Sequence, residues 1–197
     1  MPPKPTVLAF DTSAAHCAAA LLSGGEITAR VDEMARGQAE HLMPMLEEML
    51  AAKGLHWSDL TALGVGIGPG NFTGIRISVS AARGLALGLG IPAVGVSGFD
   101  TRAHGLPRPV SVAIPAPRER LYIQHITHAD ASPPALIPVA EAPSDLVPEP
   151  AAETLITHMV QIAAHRASAS TPRPAPLYVR AADAAPARDA PPVILPS

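Results

Sequence analysis

Val65-Gly66-Ile67-Gly68-Pro69-Gly70-Asn71-Phe72-Thr73-Gly74-Ile75-Arg76, with the run that continues to Gly90, decides how this chain folds. It reads as the end of a buried strand, a glycine-rich turn, and then a helix over about 72–89 with almost no charge on any side. A helix that is apolar all round must be covered all round. One chain of 197 residues has difficulty covering it alone. The expectation is a protein that works by docking something against this helix, and not a solitary enzyme.

Working outward, residues 62–67 form an apolar run typical of a strand covered on both faces, and 93–96 form another. A strand–helix–strand unit over 62–96 implies a right-handed parallel crossover. Upstream, 6–10, 16–22 and 26–34 read as strands, with Gly24-Gly25 as the turn between the second and third. That is a three-strand antiparallel meander. A first helix follows over about 38–53, where Ala39, Leu42, Met43, Leu46, Met49 and Leu50 recur at three- and four-residue spacing. His41, Met45 and Glu48 lie on a second face, Pro44 sits inside the pattern, and Gly54 suits the C-terminal cap. The order β-β-β-α-β-α-β predicts an α/β fold with helices against a mixed sheet.

Composition changes near Gly105, since seventeen of the 23 prolines lie beyond it. Residues 110–114 and 121–127 still read as strands and 151–164 as a helix, while 130–150 and 168–176 read as loops. This divides the chain into a lobe over 1–103 and a smaller, proline-rich lobe over 104–197, whose tail from Ala185 is expected to be poorly ordered.

Apolar residues make up 48% of the chain and aromatics only 3%, so the core must be built from aliphatic side chains. The net charge of -3 excludes the basic stripe of a nucleic-acid binder. The single cysteine, Cys17, lies among small apolar residues and reads as core. There is no apolar h-region before Asp11 and no run of the ~18 apolar residues that a membrane span needs, so a cytoplasmic protein is expected.

Gly64, Gly66, Gly68 and Gly70 precede a helix and could cradle phosphate, but Asn71-Phe72 stand where a P-loop needs Lys and Ser or Thr. The other reading is that these glycines let the chain turn sharply and the helix approach closely. Asp11-Thr12-Ser13, at the end of the first strand, can hold a Mg-nucleotide or cap a turn. With the turn, they give Asp11, Thr12, Ser13, Gly68 and Gly70 as the candidate nucleotide site. His125 and His128 fall on opposite faces of one strand, His158 and His165 lack a third ligand, and no His-x-x-x-His occurs, so no metal site is expected. Gly95-Val96-Ser97-Gly98-Phe99 lacks the second glycine of a nucleophile elbow. No catalytic residue is assigned.

The second helix is the best candidate site. Ile75, Val79, Ala82, Ala86 and Leu89 form a stripe for the sheet; Gly74, Ile77, Ser78, Ala81, Leu85 and Gly88 form another on which a second helix could pack closely. The expected docking surface comprises Gln38, His41, Leu42, Met45 and Met49 from the first helix with Gly74, Ile77, Ser78, Ala81 and Leu85 from the second.

Several stretches together resemble the TsaB (YeaZ) family: Val7-Leu-Ala-Phe-Asp-Thr-Ser13, Ala39-Glu40-His41-Leu-Met-Pro-Met-Leu46, Gly66 to Arg76, and Ala82-Arg-Gly-Leu-Ala-Leu-Gly-Leu-Gly-Ile-Pro92. A weaker echo is Pro176-Leu-Tyr-Val-Arg180 with Ala182-Asp-Ala184. The resemblance is close over about 7–99 and thin beyond. It implies an ASKHA (actin-like ATPase, RNase H-like) fold of two related lobes, each a mixed sheet flanked by helices, with the C-terminal lobe reduced. It implies a part in making threonylcarbamoyladenosine at position 37 of tRNA, as a non-catalytic subunit. Such subunits pair through their N-terminal helices with the catalytic TsaD, are joined by the ATPase TsaE, and form homodimers when alone. TsaC supplies threonylcarbamoyl-adenylate, and tRNA is met only through the complex. No tightly bound cofactor is implied, though ATP or ADP at the partner interface stays open. Two departures stand out: Pro115-Ala116-Pro117-Arg118 replaces the family's Asp-Ala-Arg before a strand, and the second lobe is short. An actin-like phosphotransferase using Asp11-Thr12-Ser13 and the glycine turn, and an M22-type glycoprotease, are the alternatives.

Overall fold

A computed structural model describes residues 4–179; the weak echo at Arg180 and 182–184, and the tail from Ala185, lie outside the described residues. Strand β1 (Val7–Asp11) is the axis of the first sheet. Leu8 and Phe10 enter one apolar cluster, and Val7 and Ala9 another. In β2 (His16–Ser23) the same alternation sends Cys17, Ala19 and Leu21 one way and Ala18 and Ala20 the other. An alternating strand with no polar face belongs to a sheet covered on both sides. With β3 (Glu26–Glu33), β4 (Ala62–Gly66) and β5 (Ala93–Val96), the order is β3-β2-β1-β4-β5. The first three strands are the expected antiparallel meander, and β1, β4 and β5 run parallel.

Two helices cover one face. In α1 (Gln38–Ala52), Leu42, Met45, Leu46, Met49 and Leu50 are all buried in the cluster that receives Leu8 and Phe10. In α2 (Phe72–Leu89), Ile75, Val79 and Ala82 enter the same cluster. The helix starts at Asn71, whose side chain accepts from the Gly74 N–H at 2.8 Å. It ends at Gly90, which adopts φ 67° and precedes Ile91-Pro92. The crossover from β4 through α2 to β5 forms as the sequence indicates.

The second half differs from the expectation in several places. A short helix, α3 (Gly98–Ala103), was not legible; Ser97 and Asp100 form a reciprocal capping box that starts it. Strands β6 (Val110–Ala116) and β7 (Arg120–Ile126) form close to where they are read and pair antiparallel, and His128 falls beyond β7. A third strand, β8 (Ala135–Pro138), lies inside the stretch read as loop. Pro115 and Pro138 are tolerated because β6 and β8 are the two edges of this sheet. The Pro117–Glu119 turn carries Arg118 and Glu119 at positive φ, so the run that departs from the family pattern is the β6–β7 hairpin. Phe99, Ala103, Val112 and Ile114 make a small separate core under this sheet.

The last helix, α4 (Ala152–Arg166), comes late in the chain yet packs on the first sheet. Its Ile156, Met159, Val160 and Ala163 meet Val7, Ala9, Ala18 and Ala20. The physical reason is the alternation in β1 and β2, which leaves a second apolar face that the first lobe has no helix of its own to cover.

Two glycines in α2 have opposite surroundings. A Cβ on Gly74 would collide with the backbone oxygen of Thr12, whereas one on Gly84 meets nothing within 4 Å. Gly74→Ala is therefore expected to destabilise by about 2 kcal/mol or more through backbone displacement. Gly84→Ala, at an exposed helical position, should stabilise by about 1 kcal/mol. Urea denaturation of the two variants checks the opposite signs. Cys17 is fully buried, and burial first, then Asp32 and Asp11, push its thiol up to about 11. It should stay unreactive to a disulfide reagent at pH 8 until the chain is unfolded, read by absorbance with and without urea.

Candidate functional site

The ends of β1 and β4 and the start of α2 are fastened to one another. The hydroxyl of Thr12, wholly buried, donates to the Gly74 carbonyl at 2.7 Å. The Asn71 N–H donates to the Ser13 carbonyl at 2.7 Å. Ser78, also buried, donates to the Gly66 carbonyl at 3.3 Å. Asp11 is engaged locally: its carboxylate accepts from the N–H and the hydroxyl of Ser13, both at 2.9 Å. A Cβ on Gly66 would strike that carboxylate. The glycines therefore serve close approach, and Asp11-Thr12-Ser13 fasten a turn.

Beside this joint lies a cleft of about 640 Å³, lined by Asp11, Ser13, Gly68 and Gly70, by Ile114 of β6 and Tyr122 of β7, and by Met159 of α4. The volume suits a small molecule. Its chemistry does not resemble a phosphate cradle. Arg102, the one lysine or arginine among the described residues that lines it, forms an ion pair with Glu149, and Asp11 adds a carboxylate. Thr12 is removed from the candidate nucleotide set, since its hydroxyl faces Gly74 inside the protein.

The expected docking surface is reduced by the structure. Leu42, Met45, Met49, Gly74 and Ser78 are buried within the chain and cannot meet a partner. The reason is that α1 packs both on the sheet and beside α2, so that two of its flanks belong to one core. Gln38 donates to the Met34 carbonyl at 3.2 Å, and His41 lies 2.6 Å from Asp32, so both side chains hold α1 in place. Ile77, Ala81 and Leu85 are half-buried, packed against the edge of the same core.

What α2 turns outward is a different set: Thr73, Ser80, Gly84 and Gly88, with Ile77 between them and Leu87, 79% exposed, beside them. The signal was present in the sequence. At 100° per residue these positions lie opposite Ile75, Val79 and Ala82. At the start of the helix Arg76 lies over the ring of exposed Phe72, 3.7 Å from its centroid, and donates to the Tyr178 hydroxyl at 3.0 Å. That cluster ties the C-terminal stretch to α2. Among the described residues no three His, Cys, Asp or Glu side chains gather to hold a metal ion, and no helix is long and apolar enough to cross a membrane.

The model of the family described as "TsaD: tRNA N6-adenosine threonylcarbamoyltransferase" matches residues 32–177. The tRNA threonylcarbamoyladenosine biosynthesis protein TsaB of Escherichia coli (strain K12) is 39% identical over 99 residues, which cover 50% of this chain and 43% of that protein. The TsaB protein of Haemophilus influenzae is 41% identical over 100 residues, 50% of this chain and 42% of that one. The chain thus aligns with less than half the length of these curated relatives. Among solved structures, YeaZ from Pseudomonas aeruginosa superposes with a TM-score of 0.67 at 24% identity, covering 89% of this chain and 100% of that one. A P. aeruginosa protein described as similar to peptidase YEAZ gives a TM-score of 0.66 at 26% identity, with the same coverage. The fold is of the ASKHA type implied by the sequence resemblance.

The network that holds α1 sets a pH dependence. Arg30, bonded to Asp32 at 3.0 Å, and then His41 hold the Asp32 carboxyl below its usual range against the opposing effect of burial. A carboxyl with a lower pKa in the folded chain stabilises it above the unfolded value, and the contribution is lost as pH falls through the folded value. Asp32→Asn should therefore cost up to about 1 kcal/mol at pH 7, given the partial exposure of the partners. The gap between variant and wild type should narrow below the unfolded value of ~3.9 and close as pH falls through the lower folded value, measured by urea denaturation across pH.

Proposed function

The chain belongs to the TsaB (YeaZ) branch of the family that the TsaD model describes, and on that premise we propose that it is a non-catalytic subunit in the formation of threonylcarbamoyladenosine on tRNA. It acts by docking the outer face of α2 against the catalytic subunit, TsaD. The observation that carries this reading is the face itself. Over 18 residues α2 contains no acidic side chain, and its outward positions are Thr73, Ile77, Ser80, Gly84 and Gly88. Small residues let a second helix approach closely, and exposed Leu87 supplies an apolar contact. In the absence of TsaD the same face serves a homodimer. TsaE joins the assembled pair, and tRNA is met through the complex, in keeping with the chain's net charge of -3.

The cleft beside the joint favours a second reading, a phosphotransferase that binds nucleotide there. Against it, Asp11 is tied to Ser13, Arg102 is paired with Glu149, and the Asn71 N–H at the start of α2 is held by Ser13.

Light-scattering gel filtration of the chain with TsaD of the same organism tests the proposal. A homodimer that gives way to a 1:1 heterodimer is the expected result. Ser80→Arg and Gly84→Arg, both at exposed positions of the outward face, should leave the fold intact and weaken pairing about a hundredfold. Unchanged pairing in both variants would overturn the docking face. Mg-ATP turnover by the chain alone would favour the phosphotransferase.

A further inference from the structure

At the C-terminal half of α2 lies a second groove, of about 830 Å³, between the helix, the start of β5 and the stretch 169–174. Leu87, Ile91, Pro92 and Pro174 give it an apolar side. Two arginines, Arg83 and Arg173, stand in it, both exposed, and no carboxylate among the described residues lines it. In a chain with 17 acidic residues and a net charge of -3, a groove with two cations and no anion is a local reversal of sign.

Several of the other arginines are held by the protein. Arg30 binds Asp32 and Glu48, Arg102 binds Glu149, Arg166 binds Asp100, and Arg108 donates to the Ala103 and Leu106 carbonyls. Arg83 and Arg173 have no hydrogen-bond or ion-pair partner among the described residues; Arg36 and Arg118, which stand outside the groove, also lack one. Gly84 belongs both to this groove and to the outward face of α2, so the two surfaces are continuous.

We propose that this groove receives an acidic segment of the protein partner, with one or two carboxylates on Arg83 and Arg173 and an apolar side chain against Leu87 and Ile91. The inference rests on the docking reading and adds the chemistry of the contact. A guanidinium offers a planar fork to a carboxylate, arginine is enriched among the residues that dominate protein interfaces, and the exposed leucine supplies apolar area beside it. RNA is the poorer fit. Two guanidiniums neutralise few phosphates, and the exposed aromatic rings on which bases could stack, Phe72 and Tyr178, are at the opposite end of the helix.

The test uses the full chain with both arginines reversed, Arg83→Glu with Arg173→Glu, and the TsaD subunit as the probe. Both positions are exposed, so the thermal transition should match that of the wild type. Calorimetric titration at low and high salt is expected to show pairing weakened at least tenfold at low salt, with the salt dependence of the wild type flattened. Gly84→Arg is titrated in parallel. If it abolishes pairing while the double variant pairs as tightly as the wild type with the same salt dependence, this inference is overturned and the docking reading stands. If neither variant changes pairing, the docking reading fails and the groove loses its partner. Unchanged pairing with reduced binding of tRNA to the assembled pair would assign the groove to RNA and likewise overturn the proposal.

Discussion

One hydrogen bond fixes the geometry on which everything else depends. The Thr12 hydroxyl, at the end of β1, donates to the carbonyl of Gly74 in the first turn of α2; Thr12 is wholly buried and Gly74 is buried too. The approach is so close that residue 74 has no room for a Cβ. An unpartnered buried hydroxyl or carbonyl would cost about 1–3 kcal/mol, so the two groups hold each other in one arrangement. Because β1 is also the axis of the sheet, this contact sets the rotation of α2 about its own axis. The rotation decides which residues are core and which are surface.

The fastening also shapes the chemistry of the cleft. A turn that cradles phosphate must leave its backbone donors and its carboxylate free to act on a ligand. Here Asn71, Ser13 and Asp11 are bonded to one another, and the glycines are filled by neighbouring atoms. The same sequence features that suggest a nucleotide site thus build a joint between strand and helix. A rigid joint at this place suits a subunit whose role is to present a helix at a defined angle, as the docking reading requires.

The first lobe was legible because its signals are local and strong. The alternating strands, the Gly24-Gly25 turn, the cap at Asn71 and the stop at Gly90 all lie within a few residues of the structure they specify. The short helix α3 and strand β8 were not legible, since six and four residues carry too little periodicity. Nor did the sequence announce that α4 would return to the first sheet, because that depends on a sheet face formed more than a hundred residues earlier. The docking residues show a subtler limit. Met45 looks like part of a second, unpartnered face of α1, and Leu42 like part of the docking surface beside it, but packing against α2 and the sheet at once buries both. Gly74 and Gly88 sit on one stripe in the sequence, and only the Thr12 contact separates the buried one from the exposed one.

The scarcity of aromatic residues connects the core to the surface. With 3% aromatics, the sheet presents alanines and small aliphatic side chains to its helices, as at Ala9, Ala18, Ala19 and Ala20. Small sheet residues draw α4 and α2 in closely, so that each helix buries its inward face with Ile, Val, Met and Ala. A core of this kind needs apolar length in its helices more than apolar bulk. The alanine- and glycine-rich composition of α2 meets that need on the inside and leaves a smooth, weakly charged surface on the outside. The outward face is therefore a consequence of how the inside is packed, and Arg83 and Leu87, on the flank beside it, are exposed features that packing does not require. That is the physical ground for assigning them to a partner.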